Sequence, residues 1–215
     1  MKELLSFWLV PFSAIFFVVD PPGLVPIFLA ITRQQPPEKR AQMARKATLV
    51  AFGLLTSFAL FGGVIFAAFG ITLGAFKIAG GLLLLLTAID MLRAQPSRTR
   101  SSPDEQREGE EKEDVAIVPL AMPLLAGPGA IATVMVLVGR GGGSWLNAAP
   151  VILAAGITCA VAYAMMRAAP YIDRVLGRSG LAILERVMGL LLAAIAVQFF
   201  ADGVSDLYVD IRGRA

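Results

Sequence analysis

The sequence contains no histidine, a single cysteine and only 16% charged residues. Without histidine there is no imidazole proton relay and no Ser-His-Asp catalysis, and the usual zinc sites are removed as well. The lone Cys159 has no partner for a disulfide within the chain, and its place inside an apolar run reads as a small buried hydrophobe. The charged share is far below the roughly 25% of a soluble domain. Aromatic residues, 8% of the chain, are sparse around the motifs below, which argues against a large flat ligand.

What fills the space instead is apolar: 57% of the 215 residues are hydrophobic, and the mean hydropathy is +0.73. This is the composition of an integral membrane protein, all-α, in one membrane domain over residues 1–215. The net charge of +3 and the pI near 9.3 do not point to nucleic acid, because the basic residues sit in loops between apolar runs and not on one soluble face. Six runs approach or exceed the roughly 20 residues that a helical span requires. They lie at about 4–32, 47–69, 71–92, 115–138, 146–168 and 181–201, and the first and fourth are broken by proline and glycine. The first run is too long for the apolar part of a signal peptide, and no small-residue cleavage site follows it, so it is a span.

A polar stretch at about 94–114, with no apolar periodicity, divides the chain into halves of about 1–93 and 115–215 with three spans each. Fourteen of the nineteen lysines and arginines fall in the first, third and fifth loops, which places those loops in the cytoplasm and both termini outside. Halves of three spans enter the membrane from opposite sides, so if they are repeats they are inverted ones. Two matches favour repetition. Lys77-Ile78-Ala79-Gly80-Gly81-Leu82-Leu83 opens the third span much as Arg186-Val187-Met188-Gly189-Leu190-Leu191-Leu192 opens the sixth, and Pro22-Gly23 in the first span pairs with Pro128-Gly129 in the fourth. Both breaks fall near the middle of their runs. Interrupted spans at corresponding positions of two halves point to the binding site of a secondary transporter.

The chemistry expected there follows from the helix ends. A half-helix starting near Gly23 and another starting near Gly129 each present amides with no partner in a preceding turn and a partial positive charge, which suits a carboxylate. Asp20 supplies the opposite sign: at that depth it can hold an ammonium group or take up a proton. Its plainer role is to cap the second half-helix, since Asp followed by Pro is a common helix start. The candidate site therefore comprises Asp20, Pro22, Gly23 and Leu24 from the first break and Gly127, Pro128, Gly129 and Ala130 from the second. Thr133, one turn further on, is added for its hydroxyl, although threonine in a helix often bonds back to its own backbone. The expected ligand is a small zwitterion, with protons as a coupling ion. No catalytic residue, metal or cofactor is expected: an intramembrane aspartyl protease needs two facing acids at depth, and only Asp20 is deep.

The stretches Asp20-Pro21-Pro22-Gly23-Leu24-Val25-Pro26-Ile27-Phe28 and Pro119-Leu120-Ala121-Met122-Pro123-Leu124-Leu125-Ala126-Gly127-Pro128-Gly129-Ala130-Ile131 resemble the paired signatures of the MarC family of bacterial and archaeal inner-membrane proteins. Phe76-Lys77-Ile78-Ala79-Gly80-Gly81 resembles that family's third-span motif. The resemblance implies six spans and, through the family's neutral amino acid transporter branch, carriage of glycine, alanine and similar solutes. It departs at Leu24, where many members carry asparagine, so an amide donor is missing from the expected site. The alternatives to amino acid transport are efflux of another small solute or drug, and a non-transporting membrane scaffold or sensor.

Overall fold

The structure is a computed structural model, and it describes residues 2–93, 116–140 and 145–214. The expected linker at 94–114 and part of the outer loop after Gly139 lie outside the described residues. Among the described residues every regular element is helical, and no strand occurs.

The first apolar run forms α1 (Lys2–Val19) and α2 (Leu24–Ile31), bent by 40° across the Asp20–Gly23 break. It is followed by α3 (Pro37–Phe69) and α4 (Leu73–Leu92), joined by a short turn, and the two pack mainly against other helices and not along each other. Gly70 ends α3 in the left-handed region at φ 63°, a conformation glycine adopts at no steric cost, and the Thr72 hydroxyl accepts the Ala75 amide at 3.2 Å to start α4.

The fourth run is not two α-helices in series. Ala116–Leu125 winds in wide π-type turns interrupted by extended backbone at Val118 and Met122, each directly before a proline. Proline disfavours helical geometry in the residue before it, and Pro119 and Pro123 do so twice within one short segment. After the break comes α5 (Pro128–Arg140), at 52° to the π segment. The last element, α6 (Trp145–Arg214), has two arms, Ala148–Gly177 and Ser179–Arg212, which meet at Gly177, φ 59°.

Four of these helices are long and apolar enough to cross a membrane, and six spans result if each bent pair counts as one. Two extents differ from those read in the sequence. The second span was expected to begin near residue 47, but α3 begins at Pro37; polarity marks where a helix leaves an apolar layer, not where its hydrogen bonds stop. At 33 residues α3 is about 50 Å long against roughly 30 Å of hydrocarbon, so its basic first turns extend past it. Likewise the expected fifth loop is helical except at Gly177, where φ is left-handed, even though the loop holds Pro170 and Gly180; the helices on either side carry their hydrogen bonding through it.

Glycine sets the closest packing. A methyl group on Gly81 of α4 would lie 2.8 Å from Ala196 O and 3.0 Å from Phe200 N of the second arm of α6. One on Gly189 would lie 3.1 Å from both Ala88 O and Leu92 N of α4. The two contacts are reciprocal: Ala88 and Leu92 follow Gly81 by the same spacings as Ala196 and Phe200 follow Gly189. Small residues are what let backbones approach this closely in a membrane. Gly81→Ala and Gly189→Ala should each lower stability by about 1–3 kcal/mol, since the obstruction is backbone that cannot rotate away. Thermal unfolding of the purified protein in detergent would show this, and unshifted melting would mean that the helices part freely.

At the far end of this pair, buried Lys77 of α4 meets Asp206, and Arg140 of α5 meets Asp202 one turn earlier on α6. These ion pairs tie the ends of α4, α5 and α6 together. The first arm of α6 runs along α3, with Gly156 under the Phe52 ring, while large side chains such as Leu60, Val64, Ile183 and Leu190 point outward from the bundle as a lipid-facing surface would.

Candidate functional site

The first break is closed by its own residues. Asp20 has φ 54°, a left-handed conformation that aspartate tolerates better than most residues, and its amide still donates to Phe16 O at 2.9 Å as the last bond of α1. Turning left-handed there brings its carboxylate back over the chain, where Oδ1 accepts the Gly23 amide at 3.2 Å. Val25 N donates to Pro22 O at 3.1 Å, and α2 begins. Asp20 is only 1% exposed and Leu24 and Val25 are fully buried, so the freed backbone of this break is enclosed by protein, as an interrupted span demands. Gly23 is needed for space and not for its dihedrals: its φ is −67°, but a methyl group there would sit 2.1 Å from Asp20 Oδ2.

The second break is differently finished. Ala126 N donates to Ala121 O at 2.9 Å, closing the last wide turn, and Ile131 N donates to Gly127 O at 3.0 Å as the first bond of α5. Gly127 occupies the cap position and has no side chain with which to cap, and Pro128 has no amide proton. The Gly129 and Ala130 amides have no backbone or side-chain acceptor among the described residues. A methyl group on Gly127 would lie 2.5 Å from Pro123 O, so the turn itself requires glycine.

The two breaks adjoin. A methyl group on Gly129 would lie 3.7 Å from Val18 Cγ1, two residues before Asp20, and 2.7 Å from Leu84 Cδ2. A cavity of about 20 Å³ opens here, lined by Gly127, Pro128, Gly129 and Ala130 together with Val18, Leu84, Thr87 and Leu124. It has room for about one water molecule.

Of the residues singled out in the sequence, the four of the second break line this cavity. Those of the first break, Asp20, Pro22, Gly23 and Leu24, are buried beside it without lining it, and the Gly23 amide is engaged by Asp20. Thr133 is fully buried, and its hydroxyl donates to Gly129 O at 2.8 Å, so it bonds back to its own helix. The sequence reading missed Val18, Leu84, Leu124 and Thr87. Thr87 carried a signal, being a hydroxyl directly after a five-leucine run; its Oγ1 donates to Leu83 O at 3.0 Å, which leaves its lone pairs available.

Comparison with known proteins bears on this arrangement as a whole. Residues 5–208 match the family described as MarC family integral membrane protein. A UPF0056 membrane protein of Methanocaldococcus jannaschii is 39% identical over 209 residues, covering 97% of this chain and 91% of its own. One from Archaeoglobus fulgidus is 38% identical over 210 residues, with 96% of each chain covered. The UPF0056 membrane protein YvbG of Bacillus subtilis is 36% identical over 204 residues, covering 94% of this chain and 96% of its own. No solved structure matches the chain.

Proposed function

The chain belongs to the MarC family of integral membrane proteins, and from that premise we propose that it is a secondary transporter of small neutral amino acids working by alternating access. The observation that carries this reading is the meeting of two interrupted spans, with Val18 at the end of α1 against Gly129 at the start of α5. Interruptions are costly in a membrane, and a scaffold has no use for two of them in one place.

In this reading the unpaired amides of Gly129 and Ala130 take the substrate carboxylate, with the Thr87 hydroxyl as a further polar contact. Asp20 faces the ammonium group or carries a proton. The reciprocal contacts of Gly81 and Gly189 support a pair of inverted repeats related about the α4–α6 interface, on which one half can rock against the other. The cavity of about 20 Å³ is too small even for glycine, so in this reading the two breaks part to load the substrate. The protein sits in the plasma (inner) membrane with both termini outside.

The test is uptake of labelled glycine and alanine into proteoliposomes, with and without an imposed pH gradient. Saturable flux is expected, and Thr87→Val should raise KM by about threefold to tenfold through loss of one neutral hydrogen bond. No saturable flux of either amino acid would remove the proposal.

A further inference from the structure

A second cavity, of about 110 Å³, lies where α2 gives way to α3, bounded by Phe28 of α2, Pro37, Arg40 and Ala41 of α3, and Met166, Arg167 and Pro170 of α6. Its inner wall is apolar, with Phe28 and Met166 both buried, and among the described residues its charged lining is two guanidiniums with no carboxylate.

The two arginines are differently held. Arg40 is fixed in place: Nε donates to Thr32 O at 3.0 Å and Gln35 O at 2.9 Å, and Nη2 donates to Arg33 O at 2.8 Å. All three acceptors are neutral, so the bonds orient the guanidinium without cancelling its charge. Arg167 is exposed and makes no ion pair or hydrogen bond among the described residues. Two uncancelled cations on one cavity, one of them preorganised, favour a compact oxyanion that can accept from both, and guanidinium geometry matches phosphate.

The position selects the source of that phosphate. Thr32 and Arg167 mark the ends of the apolar runs in their segments, and the basic first turns of α3 begin beside them. That is the level at which a bilayer carries its headgroups, and basic pockets between spans at this level take anionic lipid. We propose that the cavity binds the phosphate of an anionic phospholipid. The acyl chains stay outside, against the apolar outer surface of the bundle, which exposes side chains such as Leu153 on the first arm of α6.

Binding to the purified full-length protein in detergent tests this, with dioctanoyl phosphatidylglycerol, dioctanoyl phosphatidylcholine and inorganic phosphate as probes and native mass spectrometry as the readout. Saturable binding of the glycerol lipid is expected, with weaker binding of the choline lipid, whose own cation competes with the arginines. Arg167→Gln should weaken the glycerol lipid by about tenfold, the worth of one charge-assisted bond. Arg167 touches nothing that holds the fold, whereas an Arg40 variant would release three carbonyls, so the first is the informative change. Arg174→Gln, outside the cavity, should bind as the wild type does. Equal binding by Arg167→Gln, an equal loss in Arg174→Gln, equal affinity for the two lipids, or no saturable binding would each overturn the site. Arg167-dependent binding of inorganic phosphate as tight as that of the lipid would overturn the lipid as its occupant.

Discussion

Asp20→Asn is expected to abolish amino acid uptake in proteoliposomes, or to strip it of its pH dependence, while the protein folds and melts as the wild type does. Asparagine keeps the side-chain oxygen that accepts the Gly23 amide and shares aspartate's tolerance of a left-handed φ, so the turn between α1 and α2 survives the change. What asparagine removes is the charge and the titratable proton. Asp20→Ala removes the acceptor as well and leaves the buried Gly23 amide orphaned, at a cost of about 1–3 kcal/mol. The pair of variants therefore separates two roles that one carboxylate can hold together. If Asp20→Asn transports with the wild-type rate and pH profile while Asp20→Ala unfolds early, Asp20 is a cap and nothing more.

The second large effect is structural. Gly127→Ala should leave little folded protein, because the new methyl group would lie 2.5 Å from Pro123 O, a backbone atom held by the prolines of the π segment. Overpacking against backbone of this kind costs about 3 kcal/mol or more. Gly23→Ala meets a side chain instead: the Asp20 carboxylate can swing away, at the loss of its bond to Gly23. It should be milder in stability. Gly53→Ala is the control: nothing lies within 4 Å of the methyl position, and replacing glycine inside α3 should be neutral or slightly stabilising. Size-exclusion profiles and melting temperatures of the three variants give the ranking, and a well-folded Gly127→Ala would mean that the second break is looser than its geometry implies.

Much of the architecture was legible in the chain. Apolar run length gives the spans, because hydrocarbon thickness fixes how many residues a helix needs to cross it. Prolines and glycines clustered inside two of those runs give the interruptions at Asp20–Gly23 and at Ala126–Gly127, whereas others such as Pro11, Pro150 and Gly81 are carried within helices. Helix ends were less legible. The charged turns that follow Pro37 and the segment around Arg174 are helical although they are polar, since hydrogen bonding carries a helix past the layer that hydropathy measures.

For the candidate site, sequence alone determined which backbone is irregular and that an acid lies within it. Only the tertiary structure decided which groups are spent and which remain: the Gly23 amide is taken by Asp20, Thr133 bonds to Gly129, and the Gly129 and Ala130 amides find no acceptor among the described residues. It alone brought Val18 to Gly129 and Leu84 and Thr87 to the same cavity. The reason is that periodicity and propensity report on neighbours along the chain, within a turn or two. Which distant helices share a face is set by how closely their backbones can approach, and that is decided by contacts such as Gly81 on Ala196.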